Sequence, residues 1–150
     1  MFKQIIKQHL TSQAPQVESN LLDQCTAVLE DVSKKHKLIT YDLCLLFKVQ
    51  DELLVGQIIT QKAEVLEAFD AGALFTAMLQ EQLQVIPEQL HEEILEQLGG
   101  EQLEQLLIKL FKKDYLLIRY NKEQSLELQH ITATSSKKVN IQSFIEKLEL

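Results

Sequence analysis

The chain has 150 residues, 45% of them apolar and 25% charged, with a net charge of −7, four glycines and two prolines. That is long enough for one domain to bury a core without disulfides or metal, and too glycine- and proline-poor for long flexible linkers. The longest apolar run, Leu43–Phe47, is far short of the roughly 20 residues of a membrane span. The N-terminus lacks the long apolar stretch of a signal peptide, so a cytoplasmic location is the expectation.

Charge is divided unevenly. Between Ala63 and Ile108 there are ten acids and no Lys or Arg, a local charge of −10; the rest of the chain carries +3. A strongly acidic stretch repels phosphate, which argues against a nucleic-acid partner. It attracts a basic protein surface and speeds that encounter.

Taken in chain order, Phe2, Ile5, Ile6, His9 and Leu10 share one helical face and predict a short helix over 2–10. Val17, Leu21, Cys25, Val28 and Val32 step by three or four, which predicts an amphipathic helix over about 15–36. Pro15 suits its first turn, and Lys34, Lys35, His36 and Lys37 complement the dipole at its end. The period then falls to two. Tyr41, Leu43, Leu45, Phe47 and Val49 alternate with a mixed face, and Leu53 to Thr60 follows after the turn Gln50-Asp51-Glu52, so 39–60 reads as a hairpin. Gly56 marks a bulge or a close contact.

Residues 62–69 read as a short helix on Val65, Leu66 and Phe69, and Asp70 as the cap of the next helix, about 71–84. Pro87 starts another, to Leu98, and Gly99-Gly100 stops it. A further helix runs from Glu101 to Lys113. The tripeptide Glu-Gln-Leu occurs five times here, starting at Glu81, Glu88, Glu96, Glu101 and Glu104. Its uneven spacing and the breaks at Pro87 and Gly99 exclude a coiled coil. Tyr115–Tyr120 and Leu126 to about Ala133 form a second hairpin around the turn at Asn121–Gln124 (about 114–133 in all), Thr134–Lys138 reads as a polar loop, and Asn140 caps a last helix. The expected fold is therefore α+β. A four-stranded antiparallel sheet from two hairpins packs against a long N-terminal helix, a C-terminal helix and a three-helix acidic middle segment, all in one domain over 1–150.

Chemistry-bearing motifs are sparse. His91-Glu92-Glu93-Ile94-Leu95 has Leu95 where a zinc-binding helix needs its second histidine. Glu88 with His91 and Glu127 with His130 have di-metal spacing, but Glu127 and His130 lie on a strand, where three residues apart means opposite faces. No metal or cofactor is implied, Cys25 and Cys44 read as reduced thiols, and no nucleophile, base and oxyanion set can be assembled. Arg119, the only arginine, can grip a carboxylate through paired hydrogen bonds.

The leading expectation is a non-catalytic protein-binding module: a chaperone, an adaptor or an immunity-type protein. Its partner-binding residues are an apolar stripe of Leu79, Leu83, Leu90 and Ile94 with an acidic rim of Glu81, Glu88, Glu92 and Glu96. The partner is another protein with a basic surface, and a homodimer is a second arrangement. In size, charge and coarse element order the chain resembles small acidic α+β chaperones of bacterial secretion systems, in layout only and without a shared motif. The alternative is a small enzyme or ligand-binding domain with a pocket between sheet and helices, using Arg119 and His130 together with Tyr41 and Cys44.

Overall fold

The computed structural model describes residues 2–83, 88–90, 92, 93, 96 and 101–147. Five helices are present among them: α1 (Phe2–Ser12), α2 (Ala14–His36), α3 (Ala71–Leu83), α4 (Glu101–Phe111) and α5 (Ile141–Lys147). Six strands, β1 (Leu43–Gln50), β2 (Leu53–Thr60), β3 (Val65–Asp70), β4 (Tyr115–Tyr120), β5 (Leu126–Ile131) and β6 (Ser136–Val139), form one antiparallel sheet in the order β3-β2-β1-β4-β5-β6.

The α+β class and both predicted hairpins are present, but the sheet has six strands where four were expected. Val65–Asp70, read as a helix, is the edge strand β3 against β2. Its apolar residues fit either period over so short a span, and β2 decides the outcome by offering an unpaired edge. Ser136–Val139, read as loop, pairs with β5 as β6. A strand of Ser-Lys-Lys-Val has no apolar alternation to announce it; backbone pairing alone makes it one. The expected three-helix middle segment is seen in part, with Glu92, Glu93 and Glu96 helical. α3 and α4 are helical, and Glu88–Leu90 is a single 3-10 turn. Most of the predicted helix Pro87–Leu98 lies outside the described residues.

Local rules explain the element ends. α2 ends at Lys37 in the left-handed conformation, with φ 57°, and the Lys37 and Leu38 N–H groups donate to the carbonyls of Lys34 and Ser33. Asp51 and Glu52 both have positive φ, 53° and 63°, which suits the twist of a two-residue hairpin turn. Asp70 Oδ1 accepts from the Ala73 N–H at 3.1 Å and Asn140 Oδ1 from the Ser143 N–H at 3.0 Å, so both expected caps form. Glu18, on α2, adds a long-range cap by accepting from the Ile141 N–H at 2.9 Å.

All the buried strand residues point to one face. Leu43, Leu45 and Phe47 of β1, Leu54 and Ile58 of β2, Leu116 and Ile118 of β4 and Leu128 of β5 meet the buried stripe of α2, which includes Val17, Leu21, Cys25, Leu29 and Val32. α3, α4 and α5 complete the same layer through Phe75, Phe111 and Phe144. Truncating one such Leu to Ala typically costs about 2–5 kcal/mol. α1 lies over α2, α3 and α5, with His9 Nε2 at 2.6 Å from the Gln82 carbonyl.

The topology repeats itself. The unit helix, three strands, helix occurs twice, as α2-β1-β2-β3-α3 and α4-β4-β5-β6-α5. The strand order is what a two-fold axis through the β1–β4 seam would produce. α2 packs on α5 and reaches β5; α4 packs on α3 and reaches β2.

Gly56 makes a close contact with Phe69, its cross-strand partner; the bulge falls elsewhere, between Ile58 and Ile59. A Cβ at Gly56 would stand 2.5 Å from the Phe69 ring. That ring also packs edge-on to Phe47 at 6.1 Å, so it has little room to yield. Gly56→Ala is expected to destabilise the fold by about 1–3 kcal/mol, measured as a lower urea midpoint, and adding Phe69→Leu is expected to recover part of the loss.

Candidate functional site

The predicted partner-binding residues divide into two groups. Glu81, Glu88, Glu92 and Glu96 are all exposed, as is Glu93. None of these carboxylates has an ion-pair partner among the described residues. Leu90 is partly buried against the core. Leu79 and Leu83 belong to α3, and Ile94 lies outside the described residues.

The predicted ligand-binding pair is separated by the sheet. On β5, His130 lies opposite Leu116 and Glu127 opposite Arg119, so His130 faces the helices and Arg119 the other side. His130 Nε2 is 3.0 Å from Asp114 Oδ2, and its ring meets Phe144 edge-on at 6.0 Å, which ties β5 to α5. Arg119 is exposed and has no hydrogen-bond or ion-pair partner among the described residues. With Tyr41, Cys44 and Leu117 it borders a recess of about 370 Å³. Three of the four side chains considered from sequence thus come together, and His130 does not join them.

Cys44 shares that outer face, directly opposite Arg119 and Ile59. Its thiol is pushed up, chiefly by burial, with the Arg119 charge pulling the other way. It points at the Ile59 carbonyl at 3.8 Å. Cys25, inside α2, is pushed from 9.0 up to about 12 by burial alone. Both cysteines are free. A raised thiol is a poor nucleophile at neutral pH.

Sequence periodicity missed two surfaces. The first is the sheet face away from the helices. There Ile59, Cys44, Arg119 and Glu127 line up across four strands, and Gln57, Leu46, Leu117 and Gln129 form the next row. Val55 lies beside Lys48 and Ile131 beside Tyr115 in the same plane. Leu46, Val55, Ile59, Leu117 and Ile131 are half-buried, with no described helix over them. An antiparallel sheet exposed on one side usually alternates apolar-in, polar-out; here the outer face is mixed, with apolar residues among the polar ones. The available signal was the apolar content of the second register of β1 and β2, where Leu46, Val55 and Ile59 occupy the outward positions.

The second surface is a cleft of about 930 Å³ between the C-terminal half of α2, the 3-10 turn Thr40–Asp42 and the β4–β5 turn. Tyr41 and Tyr120 meet edge-to-face at 4.8 Å where this cleft adjoins the Arg119 recess. The buried Ser33 hydroxyl bonds the Glu30 carbonyl and Thr40 Oγ1, both at 2.8 Å, which fastens the turn to the helix. Burial and then the Glu30 carboxylate push the Tyr120 phenol up, against the pull of its hydrogen bond to Thr26. No three His, Cys, Asp or Glu side chains converge as metal ligands among the described residues. Likewise, no described helix is long and apolar enough to cross a membrane.

Compared with known protein families, curated proteins and solved structures, the chain matches none.

The raised thiol has a measurable consequence. Folded Cys25 holds its proton where the unfolded chain has lost it, so its contribution is intact below pH 9 and declines as pH rises from 9.0 towards about 12. Cys44 and Tyr120 shift in the same sense. Urea stability is expected to fall over that range, and Cys25→Val is expected to make the fall shallower without abolishing it.

Proposed function

We propose that this chain is a non-catalytic protein-binding module of the chaperone, adaptor or immunity type. One observation carries the reading: the half-buried apolar side chains Leu46, Val55, Ile59, Leu117 and Ile131, from four strands, lie on the sheet face that no described helix covers. Half-buried apolar side chains set among polar ones such as Gln57, Arg119 and Gln129 suit a protein interface, whose apolar and polar contacts are mixed. Cross-strand pairs such as Leu46 with Leu117 form an open face, which suits another protein better than an enclosed small molecule.

The acidic middle segment supplies the second element. Glu81, Glu88, Glu92 and Glu96 are exposed and lie in a stretch without Lys or Arg, so they favour a partner with a basic surface. Leu79, Leu83, Leu90 and Ile94 are the apolar residues of that same segment. Among the described residues, the two thiols are pushed up and neither has a base hydrogen-bonded to it, which favours binding over catalysis. A small-ligand reading draws support from the recess beside Arg119 alone, where a carboxylate would find an unpaired guanidinium.

The test is affinity capture from the native cell with the wild-type chain and with Leu46→Lys/Leu117→Lys, a pair of half-buried outer-face positions. The wild type is expected to retain a specific partner that the variant loses while keeping the wild-type circular dichroism spectrum. A chain that retains no protein but binds a metabolite would sink the reading.

A further inference from the structure

The cleft beside α2 carries an unusual group of exposed apolar residues. Leu38, Ile39 and Tyr41 are 41%, 64% and 47% exposed, and they follow one another within four positions. The backbone explains their exposure. The chain leaves α2 through the left-handed Lys37 and enters the Thr40–Asp42 turn at once, so no described segment folds over them.

Free positive charge stands beside them. Lys35 and His36 both reach Glu67, at 3.6 and 3.5 Å. Lys34 and Lys37 are exposed, line the cleft and have no ion-pair partner among the described residues. Glu30 is the one acid in the cleft wall. The hydroxyls and amides of Thr26, Thr40, Gln124 and Ser125 sit between the apolar groups, which suits a peptide backbone better than a hydrocarbon chain. The fitting occupant is a segment that interleaves apolar residues with carboxylates.

This chain contains such a segment. Glu81, Glu88, Glu92, Glu93 and Glu96 are exposed, unpaired among the described residues, and interleaved in sequence with Leu83, Leu90 and Ile94. Within one chain none of these carboxylates pairs with Lys34 or Lys37. We propose that the cleft receives the acidic middle segment of a second copy of this chain, the two copies exchanging segments about a two-fold axis. In that arrangement each cleft–segment contact is made twice. The inference shares with the proposed function only the reading of the acidic segment as an interface; it does not depend on the outer sheet face.

Charge reversal tests it. Light scattering of the purified full chain at high micromolar concentration is expected to give twice the monomer mass, falling towards the monomer mass at high salt. Lys34→Glu/Lys37→Glu and Glu88→Lys/Glu92→Lys are each expected to be monomeric with unchanged circular dichroism. Mixing these two variants is expected to restore the doubled mass, because both contacts are again between opposite charges. A monomeric wild type overturns the inference. So does a dimer that survives both reversals, and if that dimer is lost in Leu46→Lys/Leu117→Lys, self-association belongs to the sheet face instead.

Discussion

A continuous run of aromatic contacts holds the two repeated halves together. Phe47, near the middle of the sheet on β1, meets Phe69 of β3 at 6.1 Å and Phe75 of α3 at 5.2 Å. Phe75 meets Phe111 of α4 at 6.0 Å, Phe111 stacks on Phe144 of α5 at 5.5 Å, and Phe144 takes the His130 edge at 6.0 Å. The run begins in the first half, crosses at Phe75–Phe111 and ends on β5. Large rigid rings bury much area at little entropic cost, and their positions leave little freedom to the helices that carry them. Gly56 is part of the same arrangement, since only a residue without a Cβ leaves Phe69 room to lie across β2 towards Phe47.

The described helices are drawn to that side, and none of them covers the other face of the sheet. A six-stranded sheet with a single helical layer has twice the surface that its helices can cover. The outward residues of β1, β2 and β4 include Leu46, Val55, Ile59 and Leu117, all half-buried, so that face mixes apolar side chains with polar ones such as Gln57 and Arg119. The same geometry gives Arg119 and His130 different surroundings. On adjacent strands but three positions out of register, they are directed to opposite sides of the sheet, Arg119 to solvent and His130 to Asp114 and Phe144. The binding reading follows from this one-sided layering, and the acidic segment adds a long-range electrostatic bias to it.

Much of the fold was legible residue by residue. The step of three or four from Val17 to Val32 defined α2, and the alternation from Leu43 to Val49 defined β1, because each element buries one continuous face. Asp70 and Asn140 announced helix starts through their short polar side chains. β3 and β6 were not legible, since neither has a buried apolar alternation of its own; both exist through hydrogen bonds to a neighbour's edge. Of the candidate sites, the acidic rim was readable as charge in the sequence. The cleft at Leu38, Ile39 and Tyr41 was not, because it joins α2 to the β4–β5 turn about 85–100 residues further along.

The α+β class, the ends of the main elements and the acidic character of residues 63–108 could be read from the sequence alone. These depend on local spacing and composition, which a single chain displays directly. The six-stranded sheet, the outer face that no described helix covers and the separation of Arg119 from His130 emerged only in three dimensions. Those are matters of which edges pair and which faces the helices occupy, and they are settled by contacts between residues distant in the chain.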